Sequence, residues 1–143
     1  MKAWFLLCFF SFASIPGSAA EQMAAPPGAP AEAVQRWREL RFGMFVHWGP
    51  VSLTGHEIGW SRGRETPIEE YDALYKRFNP TNYVASEWVA AAKAAGMKYL
   101  VLTTKHHDGF CLWDTKENTY NIMRSPFARD VVKELAEACR AGG

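Results

Sequence analysis

Residues 98–114 read KYLVLTTKHHDGFCLWD, and the change of character halfway along that stretch decides the fold. Tyr99, Leu100, Val101 and Leu102 form a short apolar run of mostly β-favouring residues with Gly96 just upstream, which suits a strand buried on both faces in a parallel sheet. Lys105, His106, His107 and Asp108 then stand at its carboxyl end, and Gly109 opens a loop. Sites in parallel α/β folds gather at the carboxyl ends of strands, so a polar cluster placed there reads as functional.

A second stretch repeats the arrangement. In RFGMFVHWGP, residues 41–50, the apolar part from Phe42 to Val46 is strand-like, and Gly49 with Pro50 stops it. His47 and Trp48 therefore take the same structural address as His106 and His107. Upstream, Ala31 to Leu40 is predicted to form a short helix burying Val34 and Trp37. Between the two strands, Leu53 to Arg64 carries Gly55, Gly59 and Gly63 with His56, Glu57, Trp60 and Arg62 among them, and reads as a substrate-facing loop. Pro67 to Phe78 is predicted as a helix with Thr66 available as its cap, ended by Asn79 and Pro80. Ser86 to Ala95 is a second helix with Trp88, Ala91, Ala92 and Ala95 on one face and Gly96 placed to cap its end. After the second strand an irregular segment runs to about Arg129, and Asp130 is placed to cap a last helix whose inward positions are Val132, Leu135, Ala136 and Cys139.

The order strand, helices, strand, helix implies right-handed crossovers and a parallel α/β sheet. Two strands leave both sheet edges open, and a closed barrel of this kind needs about 250 residues, so the chain is expected to be a fragment stopping before a third strand.

Composition narrows the function. With 143 residues, 48% hydrophobic and 14% aromatic, the chain has material for one core and is neither low-complexity nor collagen-like. Lys2, the apolar run from Ala3 to Phe10 and the small residues Ser18, Ala19 and Ala20 form a secretory signal over residues 1–20, cleaved near Ala20. Residues 21–33, rich in Ala and Pro, are a flexible lead-in to a domain at 34–143. Cleavage removes Lys2, one of 16 basic side chains, and none of the 15 acidic ones, so the mature chain is neutral, which argues against nucleic acid or an anionic membrane as partner. The apolar run is too short to span a bilayer, and export (periplasmic, extracellular or lysosomal) is the expected fate. Cys111 and Cys139 remain after cleavage and read as two semi-buried thiols.

Three segments, RFGMFVHWGPVSLTG at 41–55, the run from Glu70 to Asp114 and RDVVKELAEACRAGG at 129–143, resemble the N-terminal part of α-L-fucosidases of glycoside hydrolase family 29. The resemblance extends from about Arg36 to the end, and its two strand-end motifs, GxFxHWG and KHHDGFxLWD, are specific in combination. It implies a (β/α)8-like TIM barrel, here truncated after the second or third βα unit. It also implies retaining hydrolysis of terminal α-L-fucosides through a covalent intermediate, a fucosylated glycan or glycoconjugate as partner, and no metal or organic cofactor. Oligomerisation is left open. Carried over by position, His47, His106 and His107 match the family histidines that contact fucose hydroxyls. Trp60 matches the Trp of a family Glu-Trp pair, while Gly59 stands at the acid's position with Glu57 the nearest acid. The nucleophile and acid/base fall beyond Gly143, so the catalytic residues are unknown within this chain, and the 143 residues alone are expected to be inactive and poorly soluble.

The chemistry suits those roles. A pyranose offers hydroxyls that both donate and accept, which imidazoles serve from either nitrogen. The methyl group and apolar face of fucose call for an aromatic wall, for which Trp60 is the first choice and Phe110 and Trp113 secondary candidates. Trp48 and Glu57 complete the secondary set; for Trp48, Trp88 and Trp113 core packing is the first reading. Asp108 is expected to fix the turn before Gly109. His56, Arg62, Arg64 and Glu65 read as solvated loop residues. Two other readings stay open: a metal-dependent barrel hydrolase with His47, His106, His107 and Asp108 as ligands, and a non-catalytic sugar-binding remnant.

Overall fold

The computed structural model describes residues 28–143. The signal segment, and all but the end of the lead-in, lie outside the described residues. Helix α1 is Ala31–Leu40, strand β1 Gly43–Val46, helix α2 Ile68–Ala73, helix α3 Ala85–Ala94, strand β2 Tyr99–Leu102 and helix α4 Val131–Gly142.

β1 and β2 lie side by side and parallel, with Gly43 opposite Tyr99 and Val46 opposite Leu102. The ladder continues at both ends, Lys98 N donating to Phe42 O at 2.8 Å and Thr103 N to Val46 O at 3.0 Å. This register brings the two strand ends together, so the residues that follow Val46 and Leu102 leave the sheet at one edge. Gly43 makes room for the Tyr99 ring, which lies where a Cβ would stand.

The sheet has one packed face and one open face. Leu100 and Leu102 pack against the core, whose buried members include Phe78, Tyr83, Leu112, Ile122, Phe127, Val131 and Leu135. Phe45 and its register partner Val101 point the other way and are 68% and 39% exposed. The expectation of strands buried on both faces is thus corrected: α3 and α4 supply one cover, and no second layer of helices lies over Phe45 and Val101 among the described residues.

α4 starts as its sequence dictates. Asp130 Oδ1 accepts from Lys133 N at 2.8 Å, and its other oxygen accepts from Asp114 N at 3.0 Å, so one carboxylate caps the helix and fastens the preceding loop. Gly142 lets α4 approach α3 closely, since a Cβ there would lie 2.7 Å from Val89.

Three local expectations are corrected. Trp37 is 63% exposed and α1 buries no residue, with no apolar surface packed on it among the described residues. The predicted helix from Pro67 to Phe78 is α2 followed by a 3₁₀ turn at Leu74–Arg77, with Pro67 at the cap position; the Thr66 hydroxyl bonds His56 Nδ1 at 3.0 Å instead of capping. On α3 the inward residues are Ala85, Trp88, Val89 and Ala92, while Ala91 and Ala95 face outward.

Much of the core comes from the segment after β2, which has no helical or strand period. Phe110, Leu112, Ile122 and Phe127 are all buried. Their backbone is satisfied across the segment, Leu112 N donating to Thr104 O at 3.0 Å and Ile122 N to Cys111 O at 2.9 Å. Cys111 is buried and Cys139 half-buried, both as free thiols. No helix among the described residues is long and apolar enough to cross a membrane.

Candidate functional site

The chemistry-bearing side chains meet at the carboxyl edge of the sheet. His47 follows β1 by one residue. His106 and His107 lie in the turn after β2, beyond the strand itself, so the alternation that would send neighbouring strand residues to opposite faces does not apply. That turn is closed by Gly109 N donating to His106 O at 3.0 Å, with Gly109 at φ 87°, and by Asp108 Oδ1 accepting from Phe110 N at 3.1 Å. Asp108 thus fixes the turn as its position before glycine suggested.

Four rings form a continuous row. The His47 and His106 centroids are 4.7 Å apart, those of His106 and His107 3.9 Å, and Trp60 stands edge-on to His107 at 5.0 Å. Trp60 is 56% exposed, leaving its ring available as a wall.

The glycine-rich loop is held against this row. Gly59 has φ 75° and its N–H donates to the Tyr71 hydroxyl at 2.8 Å. A Cβ at Gly59 would lie 2.5 Å from His106 Nδ1 and 2.8 Å from His107 Cδ2, so the loop backbone itself is the back wall for both imidazoles. A side chain at that position would crowd both histidines. Glu57 lies exposed two residues upstream. Arg62 forms a paired contact with Asp72, 2.6 Å at both ends, fastening the loop to α2 rather than remaining merely solvated.

Several candidates lie elsewhere. Phe110 is 3% exposed and packs on Phe78 and Tyr120, which takes it out of reach of a ligand. Trp48, half-buried, stacks on Tyr83 and meets Phe78 and Trp88 edge-on, in keeping with core packing. Trp113 is half-buried and makes no ring contact with the histidines among the described residues. The metal-ligand alternative lacks its geometry, since no group of three or more His, Cys, Asp or Glu among the described residues is placed to hold an ion. Tyr71 was not legible as part of the site: its spacing to Leu74 announces an inward helix position, but not what its hydroxyl meets.

The α-L-fucosidase family model matches residues 18–143. The chain belongs to the α-L-fucosidase family. It is 40% identical over 111 residues to α-L-fucosidase 1 of Arabidopsis thaliana, covering 76% of this chain and 20% of that protein. Among solved structures, α-L-fucosidase isoenzyme 1 of Paenibacillus thiaminolyticus is 44% identical with a TM-score of 0.72, over 77% of this chain and 26% of that one. A fucosidase of Bacteroides thetaiotaomicron, a trapped covalent intermediate in complex with 2-fluoro-fucosyl fluoride, is 33% identical with a TM-score of 0.73, over 84% and 30%. The chain therefore spans roughly a fifth to a third of the length of these fucosidases.

Within this candidate site His106 titrates below its ordinary value of 6.5, chiefly because burial penalises the cation and then because His107 and His47 would repel it. Its Nδ1 is buried without a hydrogen-bond partner among the described residues. A depressed imidazole pKa means that the unfolded chain binds more protons than the folded one in the window just below pH 6.5. Stability from this group is complete above that pH and is lost as pH falls through the folded pKa. The urea midpoint is accordingly expected to fall between pH 7 and pH 5 more steeply in the parent than in His106→Asn; equal slopes would remove His106 as the source.

Proposed function

We propose that the protein carrying this chain removes terminal α-L-fucosyl residues from glycans by a retaining double displacement. The observation that carries the reading is the row His47, His106, His107 and Trp60 gathered from two strand ends and one loop. Three imidazoles supply donors and acceptors to a hydroxyl-rich ring, and the exposed indole offers an apolar wall for its methyl face. The covalent intermediate trapped in the Bacteroides thetaiotaomicron relative supports the double displacement.

Retention needs two carboxyl groups about 5–5.5 Å apart. Asp108 is occupied by Tyr71 and Phe110 N, and Asp114 is exposed and paired with Lys116 at 3.2 Å. The resemblance to the family implies that the nucleophile and the acid/base lie outside residues 1–143. In the same reading β1 and β2 are the first staves of a (β/α)8-like barrel whose later elements cover Phe45 and Val101. The 143 residues alone are inactive, and residues 1–20 direct export.

The test is hydrolysis of an aryl α-L-fucoside by the full-length protein, with the first anomer of fucose followed by NMR. Early release of α-fucose is expected; β-fucose first, or no fucose, overturns the mechanism or the activity respectively. In His47→Ala and His107→Ala, each losing sugar hydrogen bonds of about 1.5 kcal/mol, kcat/KM should fall about tenfold while the urea midpoint moves little. Unchanged kinetics in both would remove them from the site.

A further inference from the structure

Tyr71 belongs to no motif that points to the sugar, and its side chain is only 1% exposed on the inward side of α2. A phenylalanine would fill the same space. The hydroxyl nevertheless sits at a junction of three segments: it accepts from Gly59 N at 2.8 Å and donates to Asp108 Oδ2 at 2.8 Å, while Asp108 Oδ1 accepts from Phe110 N at 3.1 Å.

We infer that Tyr71 is a positioning residue for the sugar site, its hydroxyl setting the spacing between the loop that presents Trp60 and the turn that presents His106 and His107. The inference rests on reading those three residues and His47 as the fucose contacts. The mechanical argument is short. Gly59 is in contact distance of both imidazoles, Trp60 is its neighbour in sequence, and Asp108 is the neighbour of His107. A displacement of either end of the Gly59–Tyr71–Asp108 chain therefore changes the gap between indole and imidazole, where the sugar would lie.

The polarity of the chain is fixed as well. Burial raises the phenol's pKa above its ordinary value, against the lowering by the Gly59 N–H bond and with the bond to Asp108 acting in the same direction as burial, so the hydroxyl remains a donor across the working range. The other tie between loop and α2, Arg62 with Asp72, is solvent-exposed and open to screening by salt, which leaves the buried hydroxyl as the firmer constraint.

A purely structural tyrosine would merely satisfy the Gly59 N–H, and its loss would lower stability without touching sugar affinity. The experiment separates the two in the full-length enzyme, using an aryl α-L-fucoside as substrate and free fucose as inhibitor, with Tyr71→Phe, Asp108→Asn and the double variant. In Tyr71→Phe both KM and the fucose inhibition constant are expected to rise roughly tenfold or more, with kcat falling less than about threefold, as misplacement of contacts by a fraction of an ångström produces. The double variant should be no worse than the worse single one, since both cut the same chain of bonds. Unchanged KM and inhibition constant in folded Tyr71→Phe, or single effects that multiply, would overturn the inference. Should Tyr71→Phe not fold, Asp108→Asn leaves the tyrosine packing intact, and normal KM there overturns it equally. A parent that releases no fucose sinks the functional reading itself, a result distinct from an active parent matched by its variants.

Discussion

Replacing Gly59 with alanine is expected to lower kcat/KM by about 100-fold or more, the loss that a shift of about 1 Å in contacting groups can bring. Two separate effects act at this position. The backbone sits at φ 75°, where an L side chain costs on the order of 1–2 kcal/mol. The added carbon would also stand 2.5 Å from His106 Nδ1, 2.7 Å from its Cε1 and 2.8 Å from His107 Cδ2. Those neighbours are the faces and edges of rigid rings, not the tip of a flexible chain, so the rings or the loop must move bodily. Gly55 provides the control, having nearly the same backbone at φ 73° with nothing within 4 Å of its would-be Cβ. Gly55→Ala should share the stability cost of roughly 1–2 kcal/mol and leave kcat/KM within about twofold. Equal activity of the two alanine variants would show that the histidines do not depend on the contact with Gly59.

The strand ends were legible because the signal there is local. Apolar runs from Phe42 and from Tyr99 stop within a few residues at polar groups and glycines, and the parallel pairing that follows places His47 beside His106. What local pattern could not carry is the long-range part. The hydroxyl of Tyr71 and the carboxylate of Asp108 are 37 residues apart, and no spacing rule joins them. Ala91 and Ala95 fit a helical stripe as well as Ala85 and Val89 do, but the position of α4 selects the second pair. Trp37 looked buried because it is apolar, although burial needs an opposing surface as well as a willing side chain. Phe110 was a secondary candidate for the sugar's apolar face because it is aromatic, when its direction is set by an aromatic group assembled from Tyr75, Phe78 and Tyr120.

That last correction gives the second large effect. Phe110→Ala is expected to destabilise the fold by about 3–5 kcal/mol, the range for emptying a buried phenylalanine site. The residue is 3% exposed, its ring lies 5.1 Å from Tyr120 and 6.3 Å from both Tyr75 and Phe78, and it belongs to the cluster on which Leu100 and Leu102 of β2 rest. Its backbone N–H, by contrast, is what Asp108 holds, and alanine or leucine preserves that bond. The substitution therefore removes packing beneath the histidine turn without removing the turn's own hydrogen bonds. Phe110→Leu, which keeps most of the volume, should recover much of the stability and leave KM for an aryl fucoside within about twofold, because hydrophobic swaps of similar volume usually cost under about 1.5 kcal/mol. Urea midpoints and KM measured on both variants decide the matter. A small stability loss in the alanine variant with a large rise in KM in the leucine variant would return Phe110 to the sugar, whereas the opposite pairing means that the aromatic cluster acts on the site only by supporting the ground on which His106 and His107 stand.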